Sequence, residues 1–216
     1  MIFTVGNTKG GVGKSTIALQ LAIGLSLDGA RVWLVDGDRQ RTALSAITAR
    51  SDSGRPMIAA AAYDDGPTLR TQVMQQRQAY DHIVIDAGGR DSTALRGALT
   101  VSDAVLIPFA PRSFDVWALQ DMSDLVSESR SVADLHAFAF VNKADSQGSE
   151  NREAAAALAD YPALSLLDVL VTNRKVFADA SGAGLHVEEM KRRNTVACAE
   201  IDRLKDALFA AVGVAS

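Results

Sequence analysis

The sequence predicts an α/β fold: a doubly wound, mostly parallel sheet with helices on both faces. Three observations lead there. Short apolar runs that close on a polar or turn residue recur along the chain, segments of helical length separate them, and a glycine-rich loop joins the first run to the first helical segment. With 216 residues, 48% of them hydrophobic and 22% charged, the chain can bury a full core and is expected to fold as one domain over residues 1–216. The same figures exclude wholesale disorder, a collagen-like fibre and a coiled-coil rod.

Taken in order, residues 2–5 form a buried strand and residues 6–13 a glycine-rich turn. Ile17, Leu21 and Leu25 then recur every four residues, the spacing of one helical face, until Gly29 stops them. A second strand, 32–35, ends at Asp36, so the opening reads as a right-handed strand–helix–strand unit. Residues 51–67 have the weakest pattern and are expected to be a surface excursion. Further strands are expected at 82–85, 104–108, 137–141 and 166–171, with helices at 68–78, 92–99, 116–129, 150–159 and 195–211. No linker or internal repeat interrupts the alternation.

Charge and cysteine content narrow the function classes. Twenty-two basic against twenty-six acidic residues give a net charge of −4, so any nucleic-acid binding has to come from a local patch. The single cysteine, Cys198, excludes an internal disulfide framework and a one-chain cysteine metal site, and reads as a small buried apolar residue. The start of the chain lacks the basic and apolar regions of a secretory signal, and no run is long enough to cross a membrane, so a cytoplasmic protein is expected. The three histidines lack metal-ligand spacing.

The strongest signal is Lys9-Gly10-Gly11-Val12-Gly13-Lys14-Ser15-Thr16, between an apolar strand and a helix. Glycines let consecutive backbone N–H groups curl around an anion, and the helix beginning near Lys14 adds the positive end of its dipole. Lys14 suits the β- and γ-phosphates of a nucleotide and the Ser15 hydroxyl suits Mg²⁺. The arrangement differs from the common phosphate-loop pattern in having Thr8 where the first glycine stands and a lysine, Lys9, before the glycine pair. In this it resembles the deviant Walker A motif of the ParA/MinD class of P-loop ATPases. The resemblance implies that Lys9 reaches the phosphates of a partner subunit in an ATP-bound sandwich dimer, in the manner of an arginine finger.

Other segments fall in the order of that family. Asp36-Gly37-Asp38-Arg39-Gln40 closes the second strand and is similar to the family's D-x-D-P-Q, with Arg39 in place of proline. The resemblance gives Asp36 a place on the Mg²⁺ side and Asp38 the water that attacks the γ-phosphate; by itself, an aspartate there also serves as a turn cap. Three β-branched residues end at Asp86, a Walker B-like carboxylate for Mg²⁺, and Ala87-Gly88-Gly89 occupies the place of the family's γ-phosphate switch. The stretch from Ser102 to Pro111, with Asp115 beyond, resembles the segment near the family's dimer interface. Asn142 is implied at the adenine edge, and Arg174 in the loop that covers the base. Arg174, Lys175, Lys191, Arg192 and Arg193 are the candidate DNA contacts, although a triplet of basic residues also makes an ordinary solvated face.

The resemblance runs over roughly residues 1–189 and is strongest for the small, ParF-like partition ATPases without an N-terminal helix-turn-helix extension. It implies a Mg²⁺-dependent ATPase that dimerises on ATP, binds nonspecific DNA and is released by hydrolysis stimulated by a ParB-like adaptor. A MinD-like positioning regulator and a small-molecule synthetase of the dethiobiotin synthetase kind are the alternatives. The first calls for a basic amphipathic C-terminal helix, which residues 206–216 do not provide.

Overall fold

The computed structural model describes residues 1–89, 92–111, 113–145, 148 and 150–213, giving only the helical backbone for 113–118. Seven strands form one all-parallel sheet: β1 (Ile2–Val5), β2 (Val32–Asp36), β3 (Ala59–Ala62), β4 (His82–Asp86), β5 (Ala104–Phe109), β6 (His136–Ala144) and β7 (Ser165–Thr172), in the spatial order β3-β2-β4-β1-β5-β6-β7. Among the described residues eight α-helices connect or flank them: α1 (Lys14–Leu27), α2 (Thr42–Asp52), α3 (Gly66–Gln76), α4 (Thr93–Leu99), α5 (Ser113–Ser129), α6 (Glu150–Ala156), α7 (Lys175–Gly182) and α8 (Thr195–Val212).

The helices divide between the two faces as the strand pattern requires. Strands β1, β2, β4 and β5 are almost wholly buried because both faces are covered, which explains their continuous apolar runs. On one face Ile17, Leu21 and Leu25 of α1 pack with Ala43 and Ile47 of α2, Phe177 of α7, and Ile201 and Leu204 of α8. On the other, Leu119 and Val126 of α5 cover Val105 and Ile107, while Leu69 and Val73 of α3 cover Ile83 and Ile85. Local chemistry sets several boundaries: Asp65 caps α3 by accepting from Thr68 N, with Pro67 in the first turn, and Ser92 caps α4 by accepting from Leu95 N.

The expected surface excursion over 51–67 is corrected. It contains β3, four alanines that add an edge strand to the sheet in register with Trp33 to Asp36. Helices α2 and α7 also lie outside the helical segments expected from the sequence. The chain reverses beside β1: β2 and β4 lie to one side and β5 to the other, so the carboxyl ends of β1, β2 and β4 open a crevice at a topological switch point.

Candidate active site

The glycine-rich loop bridges β1 and α1 at that crevice. Gly11 (φ 78°) and Gly13 (φ 95°) sit in the left-handed region that turns successive amides to one side, and Gly13 leads directly into the first turn of α1. The loop is braced from below by Asn7, which sequence reasoning passed over. Its buried amide nitrogen donates to Pro108 O at 2.9 Å while its oxygen accepts from Lys9 N at 2.9 Å, tying the loop to β5. Lys14 is buried, and its ammonium donates to the Lys9 carbonyl at 2.9 Å. Desolvation holds its pKa below the usual lysine range, with Asp86 and Asp38 pulling the other way.

Around the loop lies an open cavity of about 870 Å³ lined by Lys9, Gly10, Lys14, Ser15, Asp38 and Lys143 among others. Of the three expected carboxylates, Asp38 lines it, while Asp36 and Asp86 end the neighbouring strands β2 and β4. Asp36 and Asp86 are register partners on β2 and β4 and both are buried. Asp36 accepts from Asp38 N at 3.0 Å and Leu44 N at 2.9 Å, so it shapes the turn that carries Asp38; burial nonetheless raises its pKa. Asp38 is half-buried, accepts from Gln40 N at 3.0 Å, and lies so close to Gly88 that a Cβ there would stand 3.1 Å from its carboxyl group. A Cβ on Gly89 would stand 3.4 Å from Lys14 Nζ. The Gly88–Gly89 pair is therefore the side-chain-free surface that lets the β4 turn close against Asp38 and the loop.

Asp86 is the least satisfied group of the site. Both carboxylate oxygens are buried without a hydrogen-bond partner, and burial pushes the pKa up to about 7, moderated by the nearby Ser15 hydroxyl and Lys14. A buried carboxylate with spare acceptors next to a hydroxyl at a helix N-terminus suits a magnesium ion with its bound waters. Ser15 would ligate the ion directly, with Asp86, and Asp36 behind it, as acceptors for its waters. Bound there, the ion would supply charge to neutralise β- and γ-phosphate oxygens.

Other expected residues lie elsewhere. The Asn142 side chain is buried and donates to Val12 O of the loop at 2.7 Å, so one N–H of its amide is engaged by the loop itself. Arg174 pairs with the buried Glu200 at 3.3 Å and lines neither this cavity nor the adjoining one described below. Among the basic candidates, Lys175 is exposed and 4.0 Å from Asp179, Lys191 and Arg192 are exposed, and Arg193 is held by Glu188. Helix α8 runs from the carboxyl edge of the sheet, where Glu200 accepts from Thr172, to the amino edge, where Phe209 stacks on His82, and the basic triplet precedes its first turn. The side chain of Asp115 lies outside the described residues. Lys143, unmarked in the sequence, also reaches the loop.

The sequence matches the CobQ/CobB/MinD/ParA nucleotide binding domain over residues 3–187. The chain belongs to that family. This family member is 26% identical over 205 residues to the maintenance of carboxysome distribution protein A of Halothiobacillus neapolitanus, covering 93% of this chain and 92% of that protein. It is 28% identical over 168 residues to the sporulation initiation inhibitor protein Soj of Bacillus subtilis, covering 61% of this chain and 65% of Soj. Among solved structures, apo McdA of Cyanothece superposes with a TM-score of 0.79 at 16% identity, covering 96% of this chain and 99% of that one. The MinD cell division ATPase of Pyrococcus furiosus gives 0.75 at 15% identity, covering 97% and 98%. At these identities the structural likeness establishes the fold, which is that of the ParA/MinD P-loop ATPases.

Proposed function

We propose that the protein is an ATP-dependent partition or positioning ATPase, cytoplasmic and folded as one domain, that pairs on ATP, holds nonspecific DNA as the pair and lets go after hydrolysis. The observation that carries this reading is that the glycine-rich loop and Asp38 line one open cavity, with the buried Asp86 beside Ser15 and Lys14 of that loop. The amides of the loop bind the phosphates, Lys14 leaves the Lys9 carbonyl to meet them, and Asp38 orients the attacking water over Gly88. Lys9, at the rim, completes the phosphate site of a second copy. The basic residues before α8 act weakly in one copy and together in two. A ParB-like adaptor stimulates the slow hydrolytic step. Relatives named for carboxysome distribution, for Soj and for ParA support the assignment to cargo positioning or DNA segregation.

The test is ATP turnover and sedimentation with and without nonspecific duplex DNA. ATP should promote dimerisation and DNA retention, Lys14→Ala should abolish nucleotide binding, and Asp38→Ala should accumulate an ATP-bound dimer. Normal turnover by Asp38→Ala would refute its hydrolytic role. A second reading, a small-molecule synthetase, has one observation in its favour: a cavity of about 490 Å³ adjoins the phosphate site between α1, α2 and α7, lined by small residues including Ser45, Ala178 and Ser181. Turnover that ignored DNA and left the protein monomeric in ATP would favour it. No described helix is long and apolar enough to cross a membrane.

A further inference from the structure

The carboxyl end of β6 breaks the rules of a strand. Successive side chains of a strand point to opposite faces, yet Asn142 and Lys143 both reach the same loop: Asn142 Nδ2 donates to Val12 O at 2.7 Å and Lys143 Nζ to Gly11 O at 2.7 Å. Two departures make this possible. Lys143 has a φ of 53°, one of only two non-glycine residues in the left-handed region among the described residues, and the β6–β7 register shifts between Asn142 and Ala144. A residue without glycine's freedom is held in a sparsely populated conformation to aim its neighbour and itself at consecutive carbonyls. Across a trans peptide the following N–H points opposite to the carbonyl, so pinning Gly11 O and Val12 O toward β6 turns the amides of Val12 and Gly13 away from it, toward the inside of the loop.

We propose that Asn142 and Lys143 form a two-pronged clamp that presets the phosphate loop for a polyphosphate, with Lys143 as a positioning residue. The inference deepens the proposed function and rests on its reading of the loop as a triphosphate site. The clamp explains why Gly13 cannot carry a side chain, since a Cβ there would stand 2.4 Å from Asn142 Nδ2.

The experiment uses the full chain with Lys143→Met and Lys143→Arg; Lys143 is exposed, so neither threatens the core. Binding of ATP, GTP and inorganic tripolyphosphate is measured by calorimetry, and amide hydrogen exchange is followed in the nucleotide-free protein. Lys143→Met should weaken ATP and tripolyphosphate by the same factor, about tenfold for one lost charge-assisted hydrogen bond. The Val12 and Gly13 amides should exchange several-fold faster, and Lys143→Arg should restore both readouts. Weakening of ATP alone would mean a contact to the nucleoside and would overturn the clamp. Weaker binding with unchanged exchange would mean that Lys143 touches phosphate directly, and unchanged binding would mean that the contact is idle; either overturns it. Wild-type protein that bound none of the three ligands would instead refute the triphosphate reading and remove the clamp's purpose, whereas faster exchange in Lys143→Met tests the pinning without any ligand.

Discussion

Replacing the glycines of the loop one at a time by alanine should produce a graded series that the structure orders in advance. Gly10 has an ordinary backbone and open space where a Cβ would go, so Gly10→Ala should leave stability within about 0.5 kcal/mol of wild type or raise it slightly, because the unfolded chain loses freedom. Gly11 has the same open space but a φ of 78°, and the left-handed backbone alone should make Gly11→Ala cost about 1–2 kcal/mol. Gly13 adds a collision to a φ of 95°: the 2.4 Å approach forces Asn142 out of its buried hydrogen bond to Val12 O, worth a further ~1–3 kcal/mol when the partners are left unmet. Gly13→Ala should therefore lose about 3 kcal/mol, roughly 6–12 °C in Tm for a chain of this size. Urea and thermal unfolding of the nucleotide-free protein measure the series. If Gly13→Ala unfolded with wild-type stability, or Gly10→Ala fell as far as Gly13→Ala, the account of the loop would be wrong.

Further outcomes follow from single groups. Arg50 and Glu189 form a buried pair at 2.7 Å that ties α2 to the turn before α8, so Glu189→Gln strands a buried guanidinium and should cost about 3–5 kcal/mol in urea unfolding. Burial alone would raise the Glu189 pKa, but the bonds from Arg50 and His186 N outweigh it and leave it lowered. The folded pKa thus lies below the unfolded one, so the stabilisation is present above the ordinary glutamate range and is lost as pH falls through the folded value. An acid titration of stability should show that slope in wild type and lack it in Glu189→Gln. Asp86→Asn removes an unpartnered buried carboxylate and should stabilise the nucleotide-free protein by about 1–2 kcal/mol at neutral pH while abolishing magnesium-dependent turnover; a destabilised variant with normal turnover would contradict the site. Because Glu200 already holds Arg174, Arg174→Ala should leave ATP affinity within about twofold, and a tenfold loss would reinstate it as a nucleotide contact.

The amino-acid sequence alone determined the parts of the site in which neighbours along the chain make the geometry. A strand, a glycine loop and a helix N-terminus in direct succession leave little choice about where an anion binds, and carboxylates that end apolar strands must face the same edge. The expected helix over 92–99 was legible for the same reason, and the structure shows Ser92 capping it through an amide only three residues away.

Tertiary structure decided what depends on partners distant in sequence. Four alanines prefer a helix, yet Ala59–Ala62 become β3 because β2 offers unpaired backbone groups and Trp33 gains cover from Ala61 and Tyr63 beside Tyr80. Asn142 and Lys143 meet the loop 130 and 132 residues away only because β6 lies one strand beyond β5, and the left-handed turn that aims them has no sequence signature in a lysine. The upward shift of Asp86 belongs to the same class: an aspartate at the end of a strand is ordinary, and only the layers packed around it remove the water that would have kept it acidic.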